Sequence, residues 1–177
     1  MTHTPTLVVL ALLGALFASG GTAAAVPASD PAAERSPSSA GTAAAGTAKA
    51  ERKVIALTNQ KRRNHGCKAL DFRTSLRKAA RRHTQRMADV GYPDGLSHQL
   101  PGEPDLGRRL TNAGYKNWTM AAENIAYGYP TPRAVVRGWM GSKDHRANIL
   151  NCRLRHIGVG LVRADGAAWW TQVFGRK

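Results

Sequence analysis

Carboxylates are scarce in this sequence: 11 Asp and Glu stand against 26 Lys and Arg, a formal net charge of +15. Setting aside Asp30, Glu34 and Arg35, residues 49–177 hold 25 basic and 9 acidic side chains. The basic pairs, such as Lys61-Arg62, Arg81-Arg82 and Arg108-Arg109, are spread over several segments. No arginine-rich arm and no glycine–aromatic interleaving accompanies them, so there is no specific nucleic-acid motif. Outside a cell such a field favours anionic surfaces, whether cell-wall polymer, lipid headgroups or extracellular DNA. The plainer alternative is a solvated basic face.

Long apolar runs are missing as well. The longest, Leu7 to Phe17, falls short of the roughly 20 residues that span a hydrocarbon core. It fits the apolar heart of an export signal, and Ala23-Ala24-Ala25 supplies the small-residue pattern a signal peptidase accepts. We therefore expect a signal peptide over 1–25, a secreted, extracellular product, and no transmembrane segment in the mature chain. The stretch before the run carries no Lys or Arg, which keeps a retained anchor open as the alternative.

Residues 26–48 are almost entirely Ala, Ser, Pro, Thr and Gly. They bury too little apolar surface to offset their ordering entropy, so a disordered linker is expected there. The remaining stretch, 49–177, is the size of one domain, and no repeat of 20–50 residues divides it. Cysteine is nearly absent too, with only Cys67 and Cys152. An even count in an exported chain points to a disulfide, with two free thiols as the alternative.

Catalytic signatures are lacking in turn. No His-Glu-x-x-His helix, Gly-x-Ser-x-Gly elbow or phosphate-cradling glycine loop occurs. A cysteine nucleophile would need a free thiolate beside a base, which a disulfide would remove.

The pattern that is present reads as helices followed by a hairpin. Val54, Leu57 and Lys61 fall at helical spacing over 50–63, with Gly66 placed as a C-cap. Leu76, Ala79, Ala80, His83, Met87 and Val90 recur on one face of a helix over 74–90, with Thr74 or Ser75 available as its cap and Gly91 and Pro93 to stop it. Pro104 to Ala113 predicts a short helix, Pro132 to Trp139 another, and Asp144 to Leu150 one or two turns. Beyond Ile157 the period becomes two, giving two strands about a turn at Asp165-Gly166. Helices first and strands last indicate an α+β domain.

Six segments then fall in a telling order. They are Leu76 to Met87, Gly95-Leu-Ser-His98, Ala122-Glu-Asn-Ile-Ala126, Trp139 through Ser142 and His145 to Leu150, Ile157-Gly-Val-Gly160, and Trp170-Thr-Gln-Val-Phe174. Together they resemble the bacterial, secreted branch of the CAP superfamily (SCP-like; cysteine-rich secretory proteins, antigen five and pathogenesis-related proteins) over residues 52 to 175. The resemblance implies a three-layer α-β-α sandwich around a small antiparallel sheet, with Glu123 to Gly128 as an inner strand. A Cys67–Cys152 bond would pin the first helix to the turn before the sheet.

The resemblance also implies a cleft of two histidines and two acids in which a divalent cation can sit. His98 and Glu123 match the first histidine and first acid. Ser142 stands at the second acid and Trp169 at the second histidine, so half of the tetrad is absent. His145 starts beside the same cleft, and His98, Glu123 and His145 together could hold a weakly bound divalent cation such as zinc at an open site. The alternative is that His98 and Glu123 only hydrogen-bond each other. His83 reads as a hydrogen-bonded core residue rather than a ligand, and Trp139, Trp169 and Trp170 as core. No catalytic residue is assigned. The expected function is a non-enzymatic extracellular binding or effector module with an unidentified ligand. The alternatives are a metal-assisted hydrolase of peptide or cell-wall material and a lipid- or sterol-binding carrier.

Overall fold

The computed structural model describes residues 39–177; the expected signal peptide and residues 26–38 of the expected linker lie outside them. Helix α1 (Ser39–Arg63) starts ten residues before the expected domain boundary, inside the stretch expected to be a tether. Low burial explains that expectation, but Ala40, Ala43, Ala44, Ala45 and Ala48 carry the highest intrinsic helix propensity. Among the described residues no helix is long and apolar enough to cross a membrane.

Helix α2 (Thr74–Val90) has the expected bounds, but its N-cap is Arg73 and neither Thr74 nor Ser75 caps it. Helices α3 (Leu106–Asn112), α4 (Pro132–Gly141) and α5 (Lys143–Ile149) follow. Asp105 caps α3 by accepting from the Arg108 N–H, and Thr131 caps α4 ahead of Pro132 in its first turn.

Strands β1 (Asp71–Phe72), β2 (Met120–Tyr127), β3 (His156–Ala164) and β4 (Ala167–Arg176) form one sheet in the order β1-β3-β4-β2. Two expectations are corrected here. The sheet is mixed, because β1 runs parallel to β3; two residues leave no periodicity to read. And β2 is an edge strand, pairing only with β4. The β3–β4 turn does hold Asp165 and Gly166, both at positive φ (49° and 73°), as a hairpin of primed type requires.

Helices cover both faces, giving the three layers. Val54 of α1, Val136 and Trp139 of α4 and Ile149 of α5 pack on Ile157, Val159, Trp170 and Phe174. On the other face Leu76, Ala79 and Ala80 of α2 and Leu110 of α3 pack on Val173, and Met87 meets Ile125 and Trp169. Cys67 and Cys152 are joined by a disulfide, and the nearby Arg62 is fully buried. Its guanidinium donates to the carbonyls of Lys68, Ile149, Asn151 and Leu154 at 2.7–3.1 Å. Side chain and disulfide together fasten the end of α1 to the turn before β3.

Gly158 and Gly160 set how closely α2 approaches the sheet. A Cβ at Gly158 would collide with the Arg77 nitrogen and Leu76 carbonyl carbon, and one at Gly160 would sit 2.7 Å from the Ala80 carbonyl. Backbone cannot swing aside as a side-chain tip can. Gly160→Ala should therefore destabilise the domain by about 1–3 kcal/mol, the usual overpacking cost, whereas Gly141→Ala, with open space around it, should be neutral within about 0.5 kcal/mol. Urea unfolding of the two variants checks this.

Candidate functional site

The cleft lies where α2, the loop after it, α3, β2 and α5 meet. β2 presents Glu123, Ile125 and Tyr127 to one side by strand alternation, and the loop ahead of α3 brings His98 and Glu103. Glu123 is 7% exposed. His98 places Nδ1 3.0 Å from Glu123 Oε1; because an ionised carboxylate only accepts, the proton sits on Nδ1. Arg109 of α3 donates to both oxygens of the same carboxylate, at 3.0 and 3.1 Å, and to the His98 carbonyl at 2.8 Å. A two-pronged guanidinium–carboxylate pair is among the stronger charge-assisted contacts, and here it is buried.

Behind this pair lies a second one. His83 is fully buried, and its Nδ1 is 2.9 and 3.0 Å from the oxygens of Glu103, itself buried. Its Nε2 makes no hydrogen bond and stands 3.7 Å from Glu123 Oε1. Two carboxylates and two imidazoles thus alternate in a row, Glu103–His83–Glu123–His98, with Arg109 across Glu123. His83 is a hydrogen-bonded core residue and also the link in this row.

Glu103 and Arg109 are the residues sequence reasoning missed. Arg109 carried a signal: Leu106, Arg109, Leu110 and Ala113 share one helical stripe, so this arginine points inward with the apolar residues.

His145 reaches this network through its backbone. Its backbone carbonyl accepts from Asn124, while Asn148 donates to the Glu123 carbonyl and to Asn124. These bonds tie α5 across the exposed edge of β2, which would otherwise offer unpaired backbone groups. Burial first, then the neighbouring charge of His98, hold His145 below its ordinary pKa, with Asp144 opposing. Ser142 joins α4 to α5 and makes no side-chain cap. Trp169 is 2% exposed and packs on Tyr127, ring centroids 4.5 Å apart.

Both oxygens of Glu123 are occupied by Arg109 and His98, and among the described residues no three His, Cys, Asp or Glu side chains are grouped to hold a metal ion. The cationic partner of Glu123 is a guanidinium.

Residues 55–174 match the CAP family, the cysteine-rich secretory protein family. The chain belongs to the CAP family. It is 43% identical over 128 residues to the uncharacterized protein YkwD of Bacillus subtilis (strain 168), a stretch covering 71% of this chain and 47% of YkwD. It is 34% identical over 124 residues to the membrane protein YlbC of the same strain, covering 70% of this chain and 34% of YlbC. The chain therefore spans half or less of these curated relatives. Among solved structures it resembles an extracellular SCP-domain protein of Bacillus anthracis (31% identity, TM-score 0.67), covering 74% of this chain and 41% of that one. An outer surface protein of Borrelia burgdorferi shares the fold at 17% identity and TM-score 0.63, covering 71% of this chain and 91% of that one.

Burial alone would raise the Glu123 pKa. The hydrogen bond from His98 and the charges of His83 and Arg109 outweigh it and hold the carboxyl below its ordinary value. A carboxyl depressed in the folded state contributes stability above its unfolded pKa, about 4.3, and loses it as pH falls further. Glu123→Gln strands Arg109 and should destabilise by about 3–5 kcal/mol at pH 7. The gap to wild type should narrow as pH drops through the carboxylate range, which urea unfolding at pH 7 and in mild acid would measure. A gap independent of pH would contradict this assignment.

Proposed function

We propose that this CAP domain is a secreted, non-enzymatic binding module whose His/Glu cleft is structural. The observation that carries the reading is how heavily Glu123 is engaged. Arg109 on both oxygens and His98 on one fill three of its roughly four acceptor sites, and the guanidinium beside the remaining one disfavours a cation or a proton there. Cys67, the thiol that could have served as nucleophile, is bonded to Cys152. The export-signal pattern over 1–25, and the likeness to an extracellular protein of B. anthracis, support placement outside the cell.

One observation favours a second reading. With Nδ1–H held by Glu123, the His98 ring keeps Nε2 as an acceptor on a side chain that is 57% exposed. An imidazole oriented by a buried carboxylate is the arrangement of a general base.

Two experiments separate the readings. Calorimetric titration of zinc into the protein at neutral pH should give no saturable binding, in wild type and in His145→Ala alike. Peptide and cell-wall hydrolysis should stay at background in wild type, and His98→Ala should lower the melting temperature. Turnover that His98→Ala abolishes without loss of stability would establish the hydrolase reading instead.

A further inference from the structure

All three glutamates of the described domain are buried and paired. Glu103 and Glu123 serve the cleft, and Glu51 on α1 accepts from Arg77 and Arg81 of α2 at 2.7–2.9 Å. The consequence for the surface is lopsided. Helix α1 has no acidic residue besides Glu51, and α4 has none at all. Two depressions follow one another along α1, an open one of 600 Å³ beside Pro132 and one of 240 Å³ between α1 and α4, and make a shallow groove. Its rim carries Lys49, Arg52, Lys53 and Lys61 from α1 and Arg133 and Arg137 from α4, all exposed. No ion pair among the described residues involves any of the six. Lys49/Lys53 and Arg133/Arg137 are like-charge pairs four residues apart, which repel along a helix face. A bound polyanion would relieve that repulsion on both walls.

The floor narrows the choice of polyanion. It is lined by Ala50, Ala56, Leu57, Val136 and Met140, with Pro132 at one end. No aromatic side chain lines it, so nucleic-acid bases have no stacking platform. From Gly46 to Lys61 the groove follows about 22 Å of helix, and each like-charge pair spans about 6 Å. A chain of phosphodiesters joined by short aliphatic units matches this pattern, with phosphates on the rim and carbons on the floor.

We propose that the α1–α4 groove docks a base-free phosphodiester polymer of the poly(glycerol phosphate) class, held by Lys49, Lys53, Lys61, Arg133 and Arg137. This deepens the binding-module reading and rests on it, but it uses a different face from the cleft.

The test is fluorescence anisotropy with end-labelled poly(glycerol phosphate) and the whole domain. Wild type should bind, and about four phosphate contacts should weaken binding roughly 50-fold between about 50 and 200 mM salt. The reversal pair Lys53→Glu/Arg137→Glu should lose at least tenfold, and the neutral pair Lys53→Gln/Arg137→Gln should show a smaller loss. A control reversal of equal charge away from the groove, Lys78→Glu/Lys116→Glu, should change affinity less than twofold. Oligothymidylate with the same number of phosphates, and phosphatidylcholine vesicles containing phosphatidylglycerol, should each bind more weakly than the polymer. Failure to bind, equal loss in the control pair, or tighter binding of oligothymidylate or vesicles would overturn the proposal. None of these outcomes depends on His98, whose hydrolysis assay tests the parent reading separately.

Discussion

One buried ion pair organises the middle of this domain. Arg109 reaches from α3 to both oxygens of Glu123 on the edge strand and to the carbonyl of His98 in the loop between them. Neither charge would be tolerated there alone, since an isolated buried ion costs several kcal/mol or more. The pair therefore obliges α3, β2 and the His98 loop to stay together. It also determines what the cleft can do. A carboxylate that already accepts three hydrogen bonds, two of them from a guanidinium, is a poor place for a metal ion or an incoming proton.

Charge scarcity gives the arrangement its cost and its consequence. The domain has only three glutamates, and all of them are buried with arginine or histidine partners. Structure thus consumes a third of the domain's acidic side chains, and Lys49, Arg52, Lys53 and Lys61 of α1 and Arg133 and Arg137 of α4 face solvent without an ion-pair partner among the described residues. The same economy that pairs every glutamate inside leaves an unneutralised groove on the opposite side of the sheet. The interior also contains polar positions where apolar ones would be expected. The stripe α1 buries includes Glu51, Thr58 and Arg62, each hydrogen-bonded, with Thr58 accepting from Gln172 at 2.7 Å.

Much of this was legible in the sequence, for reasons that differ by element. The residues of α2 repeat cleanly at helical spacing and end on Gly91, so its bounds could be read directly. The hairpin carries Asp165-Gly166, whose positive φ angles only a few turn types accept. The six ordered segments that resemble the CAP family identified the fold better than any single periodicity. What was missed had little local signal. Two residues of β1 have no period, and the edge position of β2 is a property of the whole sheet. An alanine-rich stretch looks like a tether when judged by what it buries, although its propensity favours helix. In the cleft, His98 and Glu123 were found through the resemblance, whereas Glu103 and Arg109 stand outside its motif, and Arg109 read as one of many surface arginines.

The proposal of a structural cleft depends on Glu123 and Arg109 acting as one coupled unit. A double-mutant cycle on stability at pH 7, with Arg109→Met, Glu123→Gln and both together, measures that coupling directly. The double variant should be less destabilised than the sum of the single ones by at least about 2 kcal/mol, as expected for contacting, hydrogen-bonded charges. Additivity within about 0.5 kcal/mol would mean that the two residues do not depend on each other, and that Glu123 is free for another partner.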